Sequence, residues 1–167
     1  MSLSYVVAMA TPTTIAVTKT RCFIGTTATS PTADTFTEIG GVTEIPAYGP
    51  SDSPVLTSTI PSGIELTDHG VTKLGGGTLK CVMDVADAGQ LALVAAQLVK
   101  AGNYNFRMIF PNGVTANPSD PSVSHGTITD LKVKVLSASV PTATSAGVYM
   151  LEFAFGYNTV PAVTAAT

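Results

Sequence analysis

The sequence predicts an all-β domain: a sandwich or barrel of about seven or eight strands with one α-helix docked against it. Apolar and polar residues alternate through most of the chain, which is the two-residue period of half-buried strands. Turns rich in glycine and proline, such as GGG at 75–77 and PNG at 111–113, separate these runs. One segment near the middle has a helical pattern instead, and we expect it to flank the sheet.

Four runs carry the strand signal: TLKCVMDV (78–85), YNFRMIF (104–110), DLKVKV (130–135) and VYMLEFAF (148–155). In the first three, one face is predicted to be buried. Those faces consist of Leu79, Cys81, Met83 and Val85; of Tyr104, Phe106, Met108 and Phe110; and of Leu131, Val133 and Val135. The fourth run is apolar on both faces apart from Glu152, which is typical of a strand covered on both sides.

The helical segment is DAGQLALVAAQLVKAG (87–102). Asp87 stands at an N-cap position, and Gly102 follows the last helix-forming residue. These signals predict a helix over about 88–101.

The helix has an unusually narrow polar stripe. At 100° per residue the stripe consists of Gln90, Gln97 and Lys100. Leu93 falls in its middle, and the remaining apolar arc is wider than the roughly 100° that a helix with one buried side needs. We therefore expect the helix to be covered both by its own sheet and by another subunit. Leu93 and Gln97 form the predicted inter-subunit face, whereas Leu91 and Leu98 are predicted to enter the core.

The composition favours a protein that packs against copies of itself. Hydrophobic residues make up 45% of the 167 residues and charged residues only 11%, and so few charges protect a monomer poorly from association. The net charge of −3 provides no basic field for nucleic acid. Cys22 and Cys81 have no metal-site spacing and are expected to be reduced thiols in the core.

The acidic residues are unevenly distributed. The segment from Cys22 to Thr72 contains no Lys or Arg. It contains six acids: Asp34, Glu38, Glu44, Asp52, Glu65 and Asp68. Solvated loops and a dedicated acidic surface are both compatible with this pattern.

Motifs for catalysis, metal binding and cofactor binding are missing from the sequence. Asp68 and His69 are adjacent, and adjacent residues of a strand point to opposite faces, so they are poorly placed to act together. KLGGGTLK (73–80) lacks the GK[ST] of a phosphate-binding loop and is better explained as a turn. We therefore expect a structural protein with no catalytic residue, no metal ligand and no cofactor.

The sequence also lacks a signal peptide and an apolar run long enough to span a bilayer. We expect synthesis in the cytoplasm without membrane insertion. The predicted organisation is a single domain over 1–167, with flexible arms at about 1–13 and 157–167.

The order of motifs resembles that of the major tail tube proteins of long-tailed, siphovirus-like bacteriophages. The matching segments are FTEIGGVTEIPAYGPS (36–51), LTST (56–59), GIELTDHGVTKLGGGTLKCVM (63–83), the DAGQLALVAA helix and the aromatic strand ending in FPNG (110–113). The similarity extends over about 21–155. We expect no immunoglobulin-like domain of the kind that many relatives carry at the C-terminus, and HGTITD matches the family only loosely.

The resemblance implies a tail tube fold, a β-sandwich-like barrel with a flanking helix. Family members join side by side into rings, usually hexamers, which stack into a hollow tube in the virion tail. DNA passes through the lumen without specific binding because the inner wall is acidic. The implied partners are further copies of the chain, the tape measure protein and the terminator and tip proteins of the tail. The six acids named above become candidates for facing the lumen.

The resemblance also gives a role to the proline-rich segment that follows FTEIGGV. Ala47 to Ser62 is expected to be a loop between two strands that reaches the neighbouring ring. Its candidate contact residues are Pro46, Tyr48, Pro50, Asp52, Pro54, Leu56 and Pro61. The prolines fix φ, which lowers the entropy lost when such a segment docks.

Two other classes of function would require sequence features that differ from those of an assembly protein. A β-sandwich module that binds carbohydrate or a receptor would present aromatic platforms, and the chain has no Trp. An enzyme built on a β-barrel would need candidate catalytic residues, which this sequence does not offer.

Overall fold

The computed structural model describes residues 19–58, 65–111, 126–140 and 147–165. The elements in chain order are β1 (Arg21–Ile24), a 3-10 turn (Pro31–Ala33), β2 (Thr37–Ile39), β3 (Val42–Glu44), β4 (Ser51–Ser58), β5 (Glu65–Lys73), β6 (Gly76–Val82), α1 (Ala88–Leu98), β7 (Tyr104–Ile109), β8 (Ile128–Ser139), β9 (Met150–Tyr157) and β10 (Ala162–Thr164). The predicted all-β class with one flanking helix is confirmed.

Eight strands form one antiparallel sheet that is rolled up on itself. The strand order is β2-β1-β7-β8-β9-β6-β3, and β10 pairs with β8. Only Gly40 and Gly41 separate β2 from β3, although these strands stand at the two ends of this path. Gly41 has a φ of +68° and its carbonyl accepts a 2.8 Å hydrogen bond from the Val82 N–H. The backbone conformation at this closure favours glycine.

The core fills the inside of the rolled sheet. Phe106 of β7 and Phe155 of β9 meet there with their ring centroids 5.2 Å apart. Cys22 and Cys81 are fully buried and unpaired, and burial raises the pKa of Cys22 to about 12 and that of Cys81 to about 11. The predicted inward faces of β7 and β8 are confirmed at Phe106, Met108, Leu131, Val133 and Val135, all of which are buried.

The helix is fastened to the sheet by hydrogen bonds at its N-terminus. Asp87 is the N-cap, as predicted: its Oδ1 accepts the Gln90 N–H at 2.7 Å and its Oδ2 accepts the Gly40 N–H at 3.1 Å. The buried Gln90 side chain donates to the carbonyls of Val82 (2.8 Å) and Gly40 (3.1 Å) and accepts the Asp84 N–H (2.9 Å). Gln90 therefore satisfies backbone groups where β6 ends and where the β2–β3 connection turns.

The predicted orientation of α1 is wrong. Leu93 is fully buried in the core, whereas Leu91 is 54% exposed and Leu98 is 73% exposed. Gln97 is half-buried on the same side as Leu93. The polar stripe of α1 faces the sheet because backbone carbonyls there accept hydrogen bonds from the Gln90 side-chain amide. The polar residues of this helix therefore do not identify its solvent-exposed side.

Two predicted strands have different ends from those expected. β6 stops at Val82, so Met83 and Val85, which were predicted to point inward, are exposed. β9 starts at Met150, which leaves Val148 and Tyr149 exposed before it.

The predicted C-terminal arm is partly wrong as well. Tyr157 is a buried residue of β9, and Ala162–Thr164 pairs with β8 as β10. The predicted arm at about 1–13 lies outside the described residues.

Candidate assembly surfaces

β4 and β5 form a hairpin that is separate from the rolled sheet. Their register runs from Ser51 opposite Lys73 to Ser58 opposite Glu65, and the two strands pack chiefly against each other. Leu56 and Val55, which point to opposite faces, are 60% and 47% exposed. An isolated two-stranded hairpin is at best marginally stable in water. This hairpin therefore has little packing of its own beyond the pairing of its two strands.

The predicted loop over Ala47 to Ser62 is wrong in its secondary structure, because Ser51–Ser58 is strand β4. The prolines of this segment led to the prediction of a loop, because proline is uncommon inside a sheet. However, β4 pairs on one side only, and edge strands tolerate proline. The predicted contact residues are distributed as follows: Pro46 is buried; Tyr48 and Pro50 precede β4; Asp52, Pro54 and Leu56 are exposed on β4; and Pro61 lies outside the described residues.

Two glycines connect the hairpin to the barrel. Gly49 has a φ of +141° and Gly75 has a φ of +71°, and a Cβ at either position would meet no atom within 4 Å. One connection is anchored immediately before Gly49, where the Tyr157 hydroxyl donates a 2.6 Å hydrogen bond to the Ala47 carbonyl. Burial, with a smaller contribution from Tyr48, raises the pKa of Tyr157 to about 12. The hydroxyl therefore keeps its proton at neutral pH.

The hairpin brings His69 together with Asp52, a pairing that the sequence did not predict. His69 Nδ1 lies 3.1 Å from Asp52 Oδ2, because Asp52 and His69 share one face of the hairpin. Asp68, the neighbour in sequence, accepts the backbone N–H of His69 at 2.7 Å and not its side chain. Within the described residues, no cluster of three or more His, Cys, Asp or Glu side chains is arranged to hold a metal ion.

The six candidate lumen acids do not form one cluster. Asp34 is a structural group that accepts hydrogen bonds from the Thr26 N–H (2.8 Å) and from the Asn105 side-chain amide (2.6 Å). Burial acts to raise the pKa of its carboxyl, but hydrogen bonds from Thr26, Asn105 and Thr35 act in the opposite direction and lower the pKa overall.

The other acids lie on the barrel and on the hairpin. Glu38 on β2 pairs with Arg21, and Glu44 on β3 pairs with Lys80 at 2.7 Å. Asp52 and Asp68 are exposed on the hairpin, where Glu65 is also a strand residue. Lumenal exposure of these acids stays a prediction.

The outward side of α1 provides a second apolar surface. Leu91, Val94 and Leu98 are exposed by 54%, 38% and 73%, and they recur at i, i+3 and i+7, the spacing of one helix face. The opposite side of α1 packs on β8, β2 and β1. The side of α1 that is open to a second subunit therefore consists of Leu91, Val94 and Leu98. The sequence predicted Leu93 and Gln97 for this role.

The hairpin and the start of α1 lie at opposite ends of β6. The hairpin joins β6 at Gly76, and α1 follows its other end at Val82, six residues further along. At about 3.3 Å per residue these ends are roughly 20 Å apart. β7 begins beside the hairpin end, since Tyr104 pairs with Val133 and Val133 with Tyr157. α1 therefore runs back along the side of the barrel toward the hairpin.

No protein-family model and no curated protein matches the sequence. Solved structures do match. The anti-feeding prophage cap, a tube-terminating cap, gives a TM-score of 0.66 at 9% identity, covering 97% of this chain and 100% of that one. A chain of the sheath-tube complex of an extracellular contractile injection system (PVC, extended state) gives 0.63 at 10% identity, covering 91% and 92%.

A chain from the tail of an empty GTA particle, refined with C6 symmetry, gives a TM-score of 0.55 at 15% identity, covering 86% of this chain and 95% of that chain. The chain thus has the tail tube type of fold, and the fold expected from the motif resemblance is confirmed. The assignment to long-tailed bacteriophages stays a prediction. None of the helices in the described ranges is both long enough and apolar enough to cross a membrane.

Proposed function

We propose that this protein is the structural subunit of a phage tail tube. Copies join side by side into hexameric rings, and the rings stack into a hollow tube. The observation that carries the proposal is the β4–β5 hairpin, which exposes apolar residues on both faces and packs chiefly against itself. A fold shared over most of the chain with components of tubes and tails supports the same assignment.

Two kinds of contact are needed to build such a tube. A side-by-side contact closes a ring, and a head-to-tail contact repeats without limit along the axis. The outward side of α1 suits the first contact because Leu91 and Leu98 lie on the flank of the barrel. The hairpin suits the second contact because it leaves the barrel at one end of β6.

The tube would deliver DNA to the host bacterium. DNA carries one negative charge per roughly 1.7 Å of its axis, so a basic wall would bind it and slow its passage. The absence of Lys and Arg between Cys22 and Thr72 supports an acidic wall, formed in part by the acids predicted above. The C6 symmetry of the similar GTA tail supports six copies per ring.

The remaining partners and the location follow from the same role. The tape measure protein would occupy the lumen before DNA, and terminator and tip proteins would close the two ends. The subunit would be synthesised in the cytoplasm of the host and end in the tail of a long-tailed, siphovirus-like virion. The proposal assigns no catalysis, metal or cofactor to any residue.

Likeness to the tube-terminating cap favours one second candidate, a terminator that forms a single ring at the end of a tube. Negative-stain electron microscopy of the purified protein separates the two. A tube subunit is expected to give six-fold rings and tubes whose length grows with concentration. Rings that never stack would support the terminator, and a monomer at every concentration would contradict both.

A further inference from the structure

A group of exposed apolar side chains lies at the end of the barrel opposite the hairpin. This group, here called the apolar pole, consists of Met83, Val85, Val140, Val148 and Tyr149. Met83 follows β6, Val140 follows β8 and Tyr149 precedes β9. The Met83 N–H donates a 2.9 Å hydrogen bond to the Tyr149 carbonyl, which holds two of these segments together.

The apolar pole supplies more than half of the area that one partner contributes to a standard interface. Val85, Val148 and Tyr149 are 75%, 66% and 63% exposed. The five side chains together expose on the order of 500 Å², whereas a standard interface buries roughly 800 Å² per partner. Asp84 is the only charged residue between Val82 and Ala86, and depletion of charge is typical of the core of an interface.

The chain turns away from the pole before it can bury these residues. Asp84 Oδ1 accepts the Ala86 N–H at 2.9 Å, and Gln90 accepts the Asp84 N–H. These two hydrogen bonds direct the backbone from β6 into α1 and leave the side chains of Met83 and Val85 outside the core. The exposed position of both side chains is thus fixed by local geometry.

We propose that the apolar pole of one copy receives the β4–β5 hairpin of the next copy along the tube. This inference rests on the proposed function and identifies the axial contact. Within one molecule, the hairpin starts roughly 20 Å from the pole along β6 and packs chiefly against itself. A donor surface at one end and an acceptor surface at the other meet when copies stack in the same orientation.

The two surfaces also match in chemistry. Val55, Leu56 and Val71 give the hairpin apolar side chains that are 47%, 60% and 75% exposed. Burying them against the pole would remove apolar surface from water on both copies, which favours association. Each copy would donate one hairpin and accept one, which is the heterologous arrangement that grows into an open filament.

Chemical crosslinking tests this contact in assembled tubes. The double variant Val55→Cys with Val148→Cys places one thiol on the hairpin and one at the pole, while the native Cys22 and Cys81 are fully buried. The matched control is Val55→Cys with Leu136→Cys, which places the second thiol on β8, outside both proposed contacts, at 57% exposure. Both are treated with a short bismaleimide and separated under denaturing conditions.

We expect at least tenfold more crosslinked multimer from the hairpin–pole variant, in a ladder that extends beyond six copies. Tubes that form normally but crosslink equally well in the control, or only there, would overturn the axial assignment. Crosslinking within single copies, independent of concentration, would also overturn it, because the hairpin would then fill the pole of its own molecule.

A pair of charge variants gives a second readout. Val148→Asp at the pole is compared with Val160→Asp in the β9–β10 connection; these valines are 66% and 60% exposed. Val148→Asp is expected to reduce tube formation at least tenfold while Val160→Asp leaves it unchanged, with both variants folded by circular dichroism. Normal tubes from Val148→Asp would contradict the inference alone, whereas an unmodified protein that never assembles would contradict the proposed function as well.

Discussion

The Tyr157 hydroxyl donates a 2.6 Å hydrogen bond to the Ala47 carbonyl and so ties the last residue of β9 to the chain that enters the hairpin. Beyond this contact, the chain passes through Gly49 into β4 and returns through Gly75. The hydrogen bond fixes where the hairpin starts, and the strands beyond it are left exposed.

Tyr157→Phe should therefore change the hairpin more than the barrel. The variant removes one hydrogen bond, so the free energy of locally opening the hairpin should fall by about 1 kcal/mol, while the free energy of unfolding the barrel stays the same. Amide hydrogen exchange should accelerate in β4 and β5 and stay unchanged in β7 and β8. Equal acceleration in all four strands would show that the bond supports the whole core instead.

The corrected orientation of α1 makes a paired prediction about two leucines. Leu93→Asp places a charge in the core, and a loss of at least about 3 kcal/mol should prevent folding. Leu91→Asp should leave the monomer folded and abolish ring formation, because its side chain is 54% exposed on the predicted lateral contact. Circular dichroism and size-exclusion chromatography measure both effects. A folded Leu93→Asp variant would contradict the described packing, and normal rings from Leu91→Asp would remove α1 from the lateral contact.

Gln90 supports the closure of the barrel through its amide, and its substitution tests this role. Gln90→Glu keeps the shape but loses two donors, whereas Gln90→Leu loses all three side-chain hydrogen bonds. Unsatisfied buried carbonyls cost about 1–3 kcal/mol each, so both variants should be clearly destabilised in urea unfolding. Unfolding free energies within 0.5 kcal/mol of the unmodified protein, roughly the effect of an ordinary surface substitution, would show that water replaces the amide.

The lowered pKa of Asp34 leads us to expect that the free energy of unfolding falls at acidic pH. Its pKa is lowered in the folded protein, so its contribution is fully present above the unfolded pKa of about 4 and is lost as the pH falls through the folded value. Asp34→Asn should be less stable than the unmodified protein at pH 7, and the difference should shrink below about pH 4. A difference that is constant from pH 7 to pH 3 would show that the carboxylate charge does not contribute.

The sequence was most informative where alternation and burial coincide. In β7 and β8 most apolar residues of one face, such as Phe106 and Val133, are buried and Tyr104 is half-buried, so the two-residue period identified both strand and core. Asp87 was recognisable as an N-cap because the side chain acts within its own first turn.

The features that the sequence did not predict share a different cause: in these places a polar residue is buried or an apolar residue is exposed. Gln90 is polar but buried because backbone carbonyls require it, and this inverted the predicted helix face. Met83 and Val148 are apolar but exposed, so the apolar pattern continued past the ends of β6 and β9. β4 contains Pro54 and is exposed on both faces, and it therefore carries neither the alternation nor the composition of a core strand.

Electron microscopy of a hairpin-deleted variant tests the central claim most directly. Replacing residues 51–73 with a short Gly-Ser link between Pro50 and Leu74 removes β4 and β5 and leaves the rolled sheet intact. The claim that this chain builds a tube through its hairpin predicts long tubes from the unmodified protein and folded single rings, without tubes, from the variant. Tubes of normal length from the variant would contradict it.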